Sequence, residues 1–504
     1  MSSYVFTENE IEVLRKLLLT WYAGNKRDLP WRRMADSCTT LSQHAYAVWV
    51  SEVMLQQTRV ATVVEYYNRW MQKWPDIQSL SNSTEEEVNE LWSGLGYYSR
   101  GRRMRQAAIK LVGEYDGKFP ETSVDLLKTM PGVGRYTASA IASMAFKEVT
   151  GVVDGNVGSG CCVGFRAIGG NTTNKTVISH LWELANNIVD PAFPGDFNQA
   201  MMELGATVCL PLNPKCSSCP VQSLCQAKAQ VKKASMENKQ ACLFNNSYSS
   251  ETKTKDVKVK LENKMAAVVD IESCEDVLAL SVSEPWLFEL GVTNYPRKPK
   301  KKEPREEKRA VVVIQLILTK NENKPGDCGS DLDDSKWLLV QRPSKGLLAG
   351  LWDFPHKLLT EKSDSKKKNC KKRKRIKTVS QHDNDMKLFS EELISLFDQD
   401  SLEISNRNHI GELVHIFSHI KQTNYVEHIQ ICYNDTSNIT PQVNLPNQYK
   451  WMCSKEFNEC GTSSAVRKMF ALCSDRTKHE EPKRGKKKKC KTDSVISDYF
   501  KKKV

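Results

Sequence analysis

Through the first 225 positions apolar residues recur at intervals of three and four. Trp49, Val50, Val53, Met54, Val60, Val63, Val64, Tyr67, Trp70 and Met71 follow this spacing, which gathers them on one face of a helix. The pattern predicts a mostly helical unit over 1–225. Residues 226–308 turn polar and lysine-rich, ending in Tyr295-Pro-Arg-Lys-Pro-Lys-Lys-Lys, and read as a connector with too little apolar surface to bury. A β-branched run, Val311-Val-Val-Ile-Gln-Leu-Ile-Leu, followed by Trp337-Leu-Leu-Val and Gly350-Leu-Trp-Asp-Phe-Pro, opens an α+β unit over 309–475. Residues 476–504 form a basic tail, and no internal repeat is visible.

Composition sharpens this outline. With 504 residues, 40% of them hydrophobic, the chain is long enough for more than one core. Lys and Arg (73) outnumber Asp and Glu (60), which favours a polyanionic partner, although much of the excess lies in lysine runs that solvated tails also explain. There is no apolar run of transmembrane length, and the first residues carry neither a signal-peptide core nor an arginine-rich transit helix. A soluble, non-exported monomer is expected, and in such a chain the 16 cysteines are better read as candidate metal ligands than as a disulfide framework.

Four cysteines are clustered. Cys209, Cys216, Cys219 and Cys225 stand as C-x6-C-x2-C-x5-C, interleaved with Pro211, Pro214 and Pro220. Four soft thiolates on a compact loop suit an iron-sulfur cluster; a zinc ribbon would usually bring two short knuckles, and only one is present. Upstream, Leu126-Leu-Lys-Thr-Met-Pro-Gly-Val-Gly-Arg-Tyr joins an apolar helix end to a new helix through Gly132 and Gly134. Such a turn can bring backbone N–H groups up to a phosphate, or it can simply be a tight turn.

The order of this hairpin, then Val153-Asp-Gly-Asn-Val, then the cysteine loop resembles the helix-hairpin-helix, Gly/Pro-rich, Asp superfamily of DNA glycosylases. Within it, Tyr46-Ala-Val-Trp-Val-Ser-Glu-Val-Met-Leu-Gln-Gln-Thr is similar to the acid-bearing helix of MutY-type adenine glycosylases. The resemblance implies a monofunctional enzyme that hydrolyses the N-glycosidic bond of adenine mispaired with 8-oxoguanine or guanine in double-stranded DNA. It implies a [4Fe-4S] cluster on the four cysteines, which shapes a basic loop including Lys215, and phosphate contacts at Gly132 and Gly134. Glu52 is implied as general acid and Asp154 as the carboxylate beside the sugar, with Tyr136 and Asn156 supporting Asp154 and the attacking water. Tyr136 stands where bifunctional relatives carry a Schiff-base lysine, and a phenol cannot form that imine.

The same resemblance assigns opening of the duplex to Gln57 and to Tyr97 in Gly94-Leu-Gly-Tyr-Tyr-Ser-Arg, with Leu55 and Thr58 near the opposing base. Arg27, Leu29, Trp31, Arg32 and Gln199 match residues lining the adenine pocket. The second unit resembles the MutY oxoguanine-reading domain, a Nudix-like fold, through Gln341-Arg-Pro-Ser-Lys-Gly-Leu-Leu-Ala-Gly-Leu-Trp-Asp-Phe-Pro and His415-Ile-Phe-Ser-His. Phe417, Ser418 and His419 are the candidates to contact 8-oxoguanine. Lysines replace the glutamate-rich helix that holds Mg²⁺ in working Nudix hydrolases, so binding without pyrophosphatase chemistry is expected.

One segment departs from the family. Gly158-Ser-Gly-Cys-Cys-Val-Gly-Phe-Arg stands where a regular apolar helix is expected, and its three glycines are poor helix material. Arginine-valine-leucine-cysteine-arginine-valine codons read one nucleotide out of frame spell Gly-Cys-Cys-Val-Gly-Phe, so 158–165 reads as a compensated frameshift. The connector holds only Cys242 and Cys274, so no zinc is expected there. Lys366–Arg375 and Lys483–Lys489 resemble nuclear localisation signals, and Asp493-Ser-Val-Ile-Ser-Asp-Tyr-Phe resembles a sliding-clamp (PCNA) box. Two other functions compete: a bifunctional endonuclease III-like glycosylase, and an inactive lesion-binding protein.

Overall fold

The computed structural model describes residues 4–155, 162–246, 280, 286–296, 303–318, 335–343, 346–359, 379–397, 402–417, 419–433 and 448–476. Asn156, Ser418, Cys274, both lysine runs and the clamp-like terminus lie outside the described residues. The chain divides into two compact units, Met1–Glu303 with Lys345–Ala349, and Pro304–Ser344 with Gly350–Val504. Among the described residues no helix is long and apolar enough to cross a membrane.

The first unit is helical: α1 (Glu8–Asn25), α2 (Pro30–Ser37), α3 (Leu41–Leu55), α4 (Val60–Lys73), α5 (Ile77–Ser81), α6 (Glu85–Leu91), α7 (Ser99–Tyr115), α8 (Ser123–Thr129), α9 (Arg135–Ala145), α10 (Cys162–Arg166), α11 (Lys175–Ile188), α12 (Pro194–Thr207) and α13 (Gln226–Asn246). Local chemistry sets several starts. Thr7 and Glu10 form a capping box on α1, and Thr40 accepts from the Gln43 N–H at the head of α3. The apolar residues spaced at three and four over 49–71 fall on two helices, α3 and α4, which meet at Gln56–Arg59. Every residue of α3 from Ala45 to Met54 is buried, polar Ser51 and Glu52 included, so α3 is a central helix and not an amphipathic surface one. Its Trp49 meets Phe119 edge-to-face at 5.8 Å, and Trp70 of α4 meets Trp92 in the same way at 5.5 Å.

A second cluster in this unit joins α1, α11 and α12 to residues of the expected connector. Ala227, Leu280 and Tyr295 are buried in it, and Trp286 and Val292 pack against it. Both ends of 226–308 therefore contribute to the helical core, which its lysine-rich average concealed. Residues 162–166 of the departing segment form the short helix α10, with Phe165 and Arg166 buried. Arg166 ion-pairs with Glu10 at 2.7 Å and stacks over Phe6.

The second unit is a sheet between helices. Its strands are β1 (Arg305–Leu318), β2 (Lys336–Gln341), β3 (Trp352–Asp353), β4 (His356–Leu358), β5 (Leu402–Ile416), β6 (Ile420–Tyr433) and β7 (Tyr449–Cys453); its helices are α14 (Val379–Ile394), α15 (Ser454–Glu459) and α16 (Ser464–Arg476). The strand order is β3-β2-β1-β6-β5, with β4 also on β1 and β7 on β2. β1 and β6 are parallel, and β5 and β6 form an antiparallel hairpin. β1 begins at Arg305, slightly before the expected domain start. Its alternate residues serve two cores: Ala310, Val312, Ile314 and Leu316 face α14, whereas Val311 and Val313 face α15 and α16. Burial on both faces explains why its sequence is an apolar run and not an alternation.

Candidate active site

The α3 helix carries Glu52 into the floor of a cleft of roughly 960 Å³ in the helical unit. Arg27, Leu29, Trp31, Arg32, Leu55, Gln57, Thr58, Tyr136, Asp154 and Gln199 line the same cleft. Residues spread over more than 170 positions thus converge on one space. Tyr97, Gly132 and Gly134 lie in the same unit outside this lining.

Glu52 is 7% exposed. Its carboxylate accepts a short hydrogen bond from the Tyr136 hydroxyl, which α9 presents from its first turn. Burial pushes the Glu52 carboxyl up to about 7; the nearby charge of Asp154 adds to this, while the Tyr136 hydrogen bond and Arg32 oppose it. Tyr136 is itself pushed well above the usual tyrosine range, first by burial and then by the charges of Glu52 and Asp154. Its hydroxyl also lies 3.2 Å from the Met202 sulfur. The site therefore has a carboxyl that can hold a proton near neutrality, next to a second carboxyl, Asp154.

The approach to Asp154 is stitched in place. Asn198 Oδ1 accepts from Val152 N at 3.2 Å, and Asn198 Nδ2 donates to Thr150 O at 2.9 Å and Ser143 Oγ at 3.0 Å. Asn186 Oδ1 accepts from Gly151 N at 2.8 Å. A Cβ at Gly151 would lie 2.4 Å from the Ala185 carbonyl carbon, so only glycine lets the chain run this close to α11.

On the opposite wall Glu203, only 1% exposed at its side chain, organises the polar groups. Arg27 donates to it through Nε at 2.5 Å and Nη2 at 3.1 Å, and Arg32 through Nη2 at 2.9 Å. Burial would raise this carboxyl, but the hydrogen bonds and charges of the two arginines more than offset it, and it sits below the ordinary carboxylate value. Gln199 Oε1 accepts from Arg32 Nε and from the Tyr22 hydroxyl, each at 3.1 Å. Leu29 and Trp31 are buried, and the Trp31 ring meets Tyr67 edge-on at 5.6 Å.

Beside the cleft, the turn between α8 and α9 holds Gly132 at φ 83°, where an added Cβ would come within 2.8 Å of the Arg103 side chain. Gly134 caps α9 at φ −96° with open space in front of it. Gln57 and Tyr97 are exposed, and both adopt left-handed backbone conformations, at φ 54° and 48°.

Cys209, Cys216, Cys219 and Cys225 follow α12 on one loop, each half-buried. Burial raises Cys216 and Cys225 and takes Cys219 to about 11, and the thiols act on one another electrically. Cys225 Sγ also donates to Gly164 O in α10 at 3.4 Å. Among the described residues no three ligating side chains gather around a single-ion site. A cubane cluster takes one thiolate per iron, and four cysteines on one loop supply that donor set in kind and number. Lys215 is exposed. In the second unit, Phe417 and His419 sit at the β5–β6 turn; the Phe417 ring lies edge-on to His415 at 4.5 Å, and His419 is exposed.

Residues 50–187 match the family model "HhH-GPD superfamily base excision DNA repair protein", and residues 332–472 match "NUDIX domain". The mouse protein named adenine DNA glycosylase is 43% identical over 499 residues, 98% of this chain and 83% of its own length. The human protein of that name is 43% identical over 92% of this chain and 74% of its own length, and the Arabidopsis thaliana one is 35% identical over 92% and 65%. The chain belongs to the adenine DNA glycosylase family. It is a monofunctional adenine DNA glycosylase of base excision repair, with a helical glycosylase unit and a Nudix-like unit.

For an adenine glycosylase, the pocket contains more than its sequence motifs offered. Glu203 lies one helical turn after Gln199, so a polar pair spaced by four on one helix face was its available signal. Asn198 sits beside Gln199 in the same segment. Arg100 closes the Gly94–Arg100 motif, but its role depends on a turn far away in sequence.

Proposed function

We propose that this adenine DNA glycosylase acts on adenine paired with 8-oxoguanine or guanine in double-stranded DNA, with Glu52 as general acid. The observation that carries this reading is the buried Glu52 carboxyl, held near pKa 7 between Tyr136 and Asp154. Adenine is a poor leaving anion, and a proton from Glu52 to a ring nitrogen lets it depart neutral. The bond from sugar to adenine breaks with its electron pair leaving on the base. Asp154 stabilises the positive charge that develops on the sugar, by field or transient bonding. Water then supplies the hydroxyl at the anomeric carbon, and its proton returns to a carboxylate. Tyr136 holds Glu52, and with Asn156 it supports Asp154 and the water. Tyr136 offers no amine, which supports hydrolysis over lyase chemistry.

Arg27, Leu29, Trp31, Arg32 and Gln199 receive the adenine, and Leu55 and Thr58 approach the opposing base. Gln57 and Tyr97 fill the gap left by extrusion. Gly132 and Gly134 admit the phosphate backbone. A [4Fe-4S] cluster, when bound by Cys209, Cys216, Cys219 and Cys225, would fix the loop carrying Lys215 beside the duplex. Phe417, Ser418 and His419 read 8-oxoguanine, the C-terminal box engages the sliding clamp PCNA, and the lysine runs direct the protein to the nucleus.

Single-turnover adenine release from an A:8-oxoguanine duplex tests the reading. The chain should release adenine, and Glu52→Gln should slow it by at least about 100-fold. No release by the unaltered chain would leave only lesion binding, and borohydride trapping would favour the bifunctional alternative.

A further inference from the structure

Gln57 and Tyr97 come from separate segments, one from the turn after α3 and the other from the loop before α7. Both are exposed, so neither is held by burial of its own side chain. Each nevertheless adopts a left-handed backbone that is unfavourable for a non-glycine residue, and such strain persists only where the surroundings impose it.

Arg100, on the first turn of α7, reaches both segments. The residue is 9% exposed, and its guanidinium lies between the two segments. Nη1 donates to the carbonyls of Val53 at 2.7 Å, Met54 at 3.0 Å and Gln56 at 2.7 Å, gathering the free end of α3. Nη2 donates to Thr58 Oγ1 at 3.2 Å on the Gln57 side and to the Gly96 carbonyl at 3.0 Å on the Tyr97 side, with the Leu95 carbonyl at 3.4 Å. The cation also faces the Tyr97 ring at 5.6 Å and the Trp92 ring at 5.3 Å. Gln57 and Tyr97 are thus each flanked by residues bonded to one rigid fork.

We propose that Arg100 is a positioning residue that presents Gln57 and Tyr97 as a preformed two-point wedge for opening the duplex at the mispaired adenine. The proposal rests on the gap-filling role proposed above for those two residues. A preformed wedge meets DNA without paying ordering entropy at the moment of insertion. A lysine at 100 keeps the charge but has no planar fork to span both segments. The competing possibility is that Arg100 only satisfies helix-end carbonyls and so contributes stability alone.

The test is a mutant cycle on the full chain, read by stopped-flow fluorescence of 2-aminopurine placed next to adenine in an A:8-oxoguanine duplex. The amplitude of adenine release normalises for folded enzyme, and Arg100→Gln serves as a second variant if Arg100→Lys folds poorly. Arg100→Lys should slow base opening about tenfold, and this effect should disappear when Gln57→Ala and Tyr97→Ala are already present. An equal slowing in that background would overturn the proposal while leaving the wedge reading intact, and so would unchanged opening by Arg100→Lys. Wild-type opening by the Gln57→Ala/Tyr97→Ala protein would remove the wedge reading and the proposal with it.

Discussion

The Tyr136 hydroxyl donates to the Glu52 carboxylate and so joins two helices across 84 positions of sequence. Because this bond favours the ionised carboxylate, it holds the Glu52 pKa below where burial alone would put it. Adenine release should fall as pH rises through about 7, where Glu52 loses its proton. Tyr136→Phe should move that alkaline limb upward, which a single-turnover pH profile would show. The stability linkage has the same direction. The folded pKa is raised from 4.5 to about 7, so the contribution is complete below 4.5 and is lost as pH climbs through 7.

Glu203 ion-pairs with both guanidiniums of the cleft wall, Arg27 and Arg32. Removing its charge should leave Arg32 to draw the Glu52 pKa down, so Glu203→Gln should shift the alkaline limb to lower pH and slow release at neutral pH by roughly tenfold. Glu203→Ala should also cost about 3 kcal/mol in denaturant unfolding. Most of that loss would come through Arg32, because Arg27 is 38% exposed and screened by water. An unmoved pH profile would mean that Glu203 acts on stability alone.

The two hairpin glycines should respond oppositely to alanine. Gly132→Ala meets both a left-handed backbone and the Arg103 side chain, and thermal unfolding should register a loss of about 1–2 kcal/mol. Gly134→Ala has room within the protein and should melt almost normally. If the α9 N-terminus faces a phosphate, it should instead weaken duplex binding, measurable by anisotropy on undamaged DNA.

Cys219 and Cys225 pack against the same cluster as α1, α11 and α12. Cys219→Ser should lower iron and sulfide content per chain, and with it the melting temperature, before adenine release is assayed. Full iron content in this variant would argue against Cys219 as a ligand.

Much of this organisation was legible because chemistry constrained short sequence windows. The cysteine spacing points to soft-metal ligands locally, whereas the Gly132–Gly134 turn and the eight residues from Ser51 to Thr58 take their meaning from the resemblance to a known family. Glu203 and Arg100 were not legible in that way, since a buried charge shows its purpose only through partners brought together by folding. Composition misled at the connector, where an average over 226–308 hid the apolar residues at its ends. The central position of α3 was hidden for a related reason: a helix buried on every side loses the amphipathic contrast that period-based reading depends on.

Tyr295 packs against residues that precede it by more than a hundred positions, with Leu280 accepting hydrogen bonds from the Gly169 and Gly170 N–H groups at 2.9 and 3.2 Å. During synthesis the catalytic half emerges from the ribosome well before these closing side chains do. Its last layer must therefore wait, with apolar surface uncovered, until the polypeptide has passed residue 296. A minimal catalytic fragment ending at the last cluster cysteine would keep that surface uncovered permanently, whereas one ending just after Tyr295-Pro296 would carry its own closure.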